Sequence, residues 1–164
     1  MRQTSKEYFR TTLILFYALA AGMLIFCGIT LVLILTDTFP LADQGLRKLF
    51  MIMVTLFAVG GYIAGNMVFK KKLQAIKAMK KLTEKMPFYR GALILKYAIF
   101  EGVAFLAIMM SFVTGDIIFL GVAALIIAFF LTLKPTKARA IKDLELDYNE
   151  QQLIENPDAI IADI

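Results

Sequence analysis

The chain has 164 residues, 60% of them hydrophobic, with a mean hydropathy of +0.74 and a formal net charge of +5. Soluble domains are about half apolar, so this composition exceeds what such a domain normally carries. There is no histidine, no tryptophan and a single cysteine, Cys27, which excludes histidine metal or haem ligation, Ser-His-Asp catalysis and an internal disulfide.

The predicted elements are helices. Arg2, Lys6 and Arg10 precede Thr11–Leu35, 25 residues without a charge. A hydrocarbon core about 30 Å thick takes about 20 apolar residues at 1.5 Å each, so the first span is placed at about 9–35. Ala18-Leu19-Ala20 resembles a signal-peptidase site, but the apolar run continues fifteen residues beyond it, and a retained span is expected. Thr36–Arg47, with Pro40, reads as an outer loop. Leu49–Phe69, 21 residues without a charge, gives a second span at about 49–69. Leu73, Ile76, Met79 and Leu82 then recur at three-residue steps among lysines, close to one helical face. A basic cytoplasmic helix over 70–86, ended by Pro87, is expected. It either prolongs the second span or lies on the membrane, with Lys70, Lys71, Lys72, Lys77, Lys80 and Lys81 meeting anionic lipid or a partner.

The third span, about 91–113, is apolar except for Lys96 and Glu101. Thr114-Gly115-Asp116 marks a turn, and Ile117–Leu133, 17 residues without a charge, gives a fourth span at 117–133, at the short limit. Residues 1–134 thus form a four-helix transmembrane domain, and 135–164 form an acidic cytoplasmic tail. In that tail Asp143, Glu145, Asp147, Glu150, Glu155, Asp158 and Asp163 follow Lys142 with no further base. Ile141, Leu144 and Tyr148 are spaced for one helical face. The tail either docks on the basic segment, binds a partner or, beyond Asn156-Pro157, stays loosely ordered.

Charge position sets the expected orientation. Fifteen Lys and Arg flank the N-terminal, middle and C-terminal segments, whereas only Arg47 and Lys48 flank the opposite side. This positive-inside bias predicts both termini in the cytoplasm. It also accounts for the basic pI without nucleic acid, whose binding surfaces do not alternate with apolar spans.

Phe9–Phe26 and Tyr89–Leu106 match at seven of 18 positions at an offset of 80, including Arg10/Arg90, Tyr17/Tyr97 and Gly22/Gly102. The match reads as a duplicated helical hairpin, both copies running in the same direction. The fold class expected is therefore all-α: an integral membrane four-helix bundle of two parallel-repeat hairpins.

Glu101 is the one acid inside a span, about eleven residues from the cytoplasmic end of its helix. A charge at that depth is expensive, and such residues often serve ion or proton transfer. Tyr97, four residues earlier, is placed to hydrogen-bond it. Lys96 is about 140° away around the helix and free to snorkel instead. Counting the same depth on the other helices gives Gly22, Gly60, Gly61, Ala123 and Ala124, which with Gly102 beside Glu101 make an expected close-packing layer, because small residues let membrane helices approach.

The stretches YRGALILKYAIFEG and PTKARAIKDLEL resemble a group of small, uncharacterised four-span inner-membrane proteins of Bacteroidota, over most of the chain. A second, narrower likeness is to the proteolipid, subunit c, of rotary ATP synthases. The chain is similar to it in a Gly-bearing second helix, a basic loop and AIFEGVAFLAIMMSF, where Glu101 would match the ion-carrying carboxylate. Only Gly60, Gly61 and Gly65 stand in for that family's glycine run, and the loop is long and lysine-rich. Two functions are thus expected. The first is a non-enzymatic accessory or assembly subunit of a larger inner-membrane complex, or a self-associating protein, with no cofactor or metal. The alternative is a proton- or cation-coupled proteolipid or small transporter using Glu101.

Overall fold

The computed structural model describes residues 2–36 and 44–163. Among these the chain is helical, with six helices and one pair of short strands. The order is β1 (Arg2–Thr4), α1 (Ser5–Leu35), α2 (Gln44–Lys77), α3 (Leu82–Thr114), α4 (Ile117–Leu131), α5 (Lys137–Leu144), α6 (Tyr148–Glu155) and β2 (Ile160–Asp163). Most of the expected outer loop, including Pro40, lies outside the described residues.

Three helices, α1, α2 and α3, are long and apolar enough to cross a membrane. Each exceeds the apolar run that predicted it. Helix α2 continues past Phe69 to Lys77 because Leu73 and Ile76 keep an apolar face that is buried. Of the two readings of 70–86, prolongation of the second span describes the segment as far as Lys77; the remainder, from Leu82, opens α3 and so is not part of the same helix. Pro87 does not end a helix but lies inside α3. Only six residues into the helix, its missing N–H forfeits one backbone bond near an end that already lacks several.

The fourth apolar run forms α4, but over 15 residues, about 22 Å at 1.5 Å each. It begins sharply: Gly115 takes a positive φ of 66°, and the Asp116 side chain caps the helix by accepting from the Ile118 N–H. It ends before the expected Leu133, where Thr132 and Leu133 donate three residues back, to Phe129 and Phe130, and Lys134-Pro135 follow.

The chain divides into two compact units. One comprises Met1–Tyr17, Asn66–Lys96 and Lys134–Ile164; the other comprises Ala18–Gly65 and Tyr97–Leu133. The division does not follow the expected boundary at 134/135, because the acidic tail packs with both chain segments of the first unit. Thr136 caps α5, and Glu145 ends it in the left-handed region at φ 50°. Asp147 and Glu150 form a capping box that starts α6. This break separates Tyr148, which is exposed, from the buried Leu144, so the expected shared face of Ile141, Leu144 and Tyr148 does not exist. Beyond Pro157 the described residues run into β2, which pairs antiparallel with β1, Arg2 opposite Asp163.

In the second unit Val54, Ala107, Ile108, Phe119, Leu120 and Ala123 form a buried apolar cluster. Phe26 packs near Phe105, with ring centroids 5.7 Å apart.

Candidate functional site

Glu101 is partly buried on α3 and has no hydrogen-bond or ion-pair partner among the described residues. Tyr97 is almost wholly buried, and its hydroxyl donates to the Leu133 carbonyl at 3.0 Å, while its ring meets the edge of Phe130. The expected Tyr97–Glu101 bond is thus replaced by one that satisfies a carbonyl just past the end of α4, where helical carbonyls lack intrahelical donors. Among the described residues no cluster of three or more Cys, Asp or Glu is placed to hold a metal.

The small-residue layer is only partly a contact layer. A Cβ on Gly61 would lie 2.5 Å from Val103 Cγ2, so α2 and α3 approach closely there. Gly65, which the depth count did not include, also sits against Phe100. Gly22, Gly60 and Gly102 have nothing within 4 Å of a Cβ. Ala123 is buried and Ala124 exposed. Gly60, Gly61 and Gly102 instead line an open groove of about 500 Å³ with Phe57, Ala98 and Leu106.

The duplicated positions have unlike surroundings. Tyr17 is 49% exposed, with the Lys134 ammonium 5.5 Å from its ring centroid, whereas Tyr97 is 1% exposed. Arg10 is exposed, but the Arg90 guanidinium lies 4.1 Å from the centre of the Tyr8 ring and donates to Gln3 Oε1 at 2.7 Å. Gly22 and Gly102 do share an open setting.

In the first unit the basic segment and the acidic tail meet through side chains. Lys85 Nζ reaches Glu150 Oε1 at 2.6 Å, with both side chains largely buried, and Lys77 Nζ reaches Glu145 Oε1 at 2.7 Å near the surface. Tyr89 donates to Asp143 at 2.8 Å, Ser5 Oγ donates to the Ile154 carbonyl and Tyr8 donates to the Met86 carbonyl. Lys96 lies over Phe69, its ammonium 4.6 Å from the ring centroid. Lys70, Lys71, Lys72 and Lys80 are exposed and carry no ion pair among the described residues.

Sequence reasoning missed a second polar cluster. Arg47 on α2 pairs with Asp116, its Nε at 2.8 Å and Nη2 at 2.6 Å from Oδ2. The other carboxylate oxygen caps α4, Ser111 Oγ donates to the Asp116 carbonyl, and the Asp116 N–H donates to Thr114 Oγ1. The available signal was that both charges flank the same predicted side of adjacent spans. The cluster ties the start of α4 to α2 through the Asp116 carboxylate. No family model, curated protein or solved structure matches the chain.

Proposed function

We propose that the chain is a non-enzymatic accessory or assembly subunit of a larger bacterial inner-membrane complex, with both termini in the cytoplasm. One observation carries the reading. In the apolar windows of α1, α2 and α3 only 17%, 17% and 39% of residues are buried. Ile25, Val32, Leu56 and Phe57 are among the large apolar side chains left outward, and such a surface calls for lipid or other subunits to cover it. The positive-inside bias supports the orientation. Helix α4 is the fourth span in this reading; its shortness is met by local thinning of the bilayer and by snorkelling of flanking groups such as Lys134. The sequence repeat supports α1–α2 and α3–α4 as hairpins of common origin. Purification from native membrane in mild detergent tests the role. A stoichiometric membrane partner supports it, and a chain that emerges alone from every mild detergent refutes it.

Glu101 supports a second reading, a proton- or cation-coupled proteolipid or small transporter. An unpaired carboxyl in an apolar helix is costly unless it has a task or meets a cation on a neighbouring subunit.

A further inference from the structure

We propose that α2 holds an anionic phospholipid of the cytoplasmic leaflet at the point where its apolar run ends, an inference that rests on the membrane-spanning reading. Met67, Val68, Lys70, Lys71 and Gln74 line an open cleft of about 370 Å³. Met67, Lys70, Lys71 and Gln74 stand at i, i+3, i+4 and i+7, so they share one face of the helix. Along that face the chemistry changes over about 10 Å, seven residues at 1.5 Å each, from thioether to ammonium groups to an amide. A lipid bearing a phosphodiester with net negative charge presents the matching order, with acyl chain against Met67 and Val68, phosphate at Lys70 and Lys71, and polar head at Gln74. Among the described residues neither lysine has an ion pair, and Glu145 and Glu150 of the tail go to Lys77 and Lys85 instead. The tail therefore leaves this pair of lysines open to an external anion, and the adjoining apolar wall selects an anion that carries a hydrocarbon chain.

The absence of tryptophan makes the test direct. Met67→Trp introduces a sole reporter, with Val68→Trp as a second and Ile25→Trp, far from any lysine in sequence, as control. The full chain is reconstituted in phosphatidylcholine vesicles holding a minor fraction of brominated phosphatidylglycerol or, separately, of brominated phosphatidylcholine. Quenching at position 67 should report phosphatidylglycerol enriched about fivefold or more over its bulk fraction, since one lysine beside an anionic headgroup supplies about that factor. The enrichment should be absent at position 25 and fall to the bulk value in Lys70→Gln/Lys71→Gln. Equal quenching by the two lipids at positions 67 and 68, or enrichment that survives the double substitution, overturns the proposal. Enrichment abolished by inorganic phosphate but not by sodium chloride of equal ionic strength makes free phosphate the preferred occupant and overturns the lipid. Quenching by neither lipid at any position overturns the spanning reading, and this inference with it.

Discussion

The Lys85–Glu150 pair should hold the tail in place, and its strength can be worked from its surroundings. The nitrogen and oxygen are 2.6 Å apart, and the two side chains are 10% and 14% exposed. Truncating one partner of a pair this buried strands the other charge, which costs about 3 kcal/mol, the low end for buried pairs because both ends keep some solvent. Glu150 has a second duty, because its other oxygen accepts from the Asp147 N–H in the capping box. Glu150→Ala should therefore lose about 1 kcal/mol more than Glu150→Gln, which retains an acceptor. Lys77–Glu145 provides the internal contrast: at 33% and 75% exposure it should contribute below about 1 kcal/mol. Amide hydrogen exchange of the tail reads these values as opening free energies. Lys85→Met should raise the opening constant at Ile154 about a hundredfold, since each 1.4 kcal/mol is a factor of ten. A double-mutant cycle with Glu150→Gln should give a coupling of about 2 kcal/mol or more. A coupling no larger than that of Lys77 with Glu145 would refute the view that burial sets the strength of the latch.

Three further outcomes follow from other contacts. Gly61→Ala should destabilise by about 1–3 kcal/mol in detergent unfolding, because the new methyl meets the stiff β-branched Val103 side chain, whereas Gly60→Ala and Gly102→Ala, with open space, should be neutral or stabilising; equal effects at all three would refute the close approach at Gly61. Glu101→Gln should keep fold and assembly, while Glu101→Lys should cost about 3 kcal/mol at mid-membrane depth; proton or cation flux in proteoliposomes that survives Glu101→Gln eliminates the transporter reading. Reporter fusions after residue 41 should read external, and those after Lys81 and at residue 164 cytoplasmic; an external C-terminus would remove both the orientation and the paired-hairpin proposal.

The long helices were legible because membrane spans announce themselves by what they lack. Leu49–Phe69 holds no charge, and no soluble helix needs that. Their ends were less legible. Phe69-Lys70 is where the hydrocarbon run stops, but a helix stops only where backbone bonding stops, and Leu73 and Ile76 carry α2 on to Lys77. Pro87 looked like a terminator because proline breaks helix interiors, yet close to an end the lost bond matters little. Glu145 in the left-handed region gave no warning at all, since glycine or asparagine ordinarily marks that bend. The β1–β2 pairing joins segments at opposite ends of the chain, and neither has a strand pattern long enough to detect.

The packing partners of the candidate site residues were less legible than the helices. Counting residues inward from a helix end fixes depth but leaves rotation free. Gly60 and Gly61 share a depth, yet only Gly61 meets a neighbouring helix closely. Tyr97 stands four residues from Glu101, where helical geometry allows a contact, but its hydroxyl donates to a carbonyl outside its own helix, that of Leu133. Charge sign behaved differently. A basic segment and an acidic tail are visible in the sequence, and ion pairs did form between them; the choice of Lys77 and Lys85 over Lys70 and Lys71 depended on where α5 and α6 start and stop. Those boundaries rest on Thr136 and Asp147 as caps and on Glu145 as a bend. Which lysines are neutralised, and so which are left without an ion pair, is decided by local backbone chemistry in a distant part of the chain.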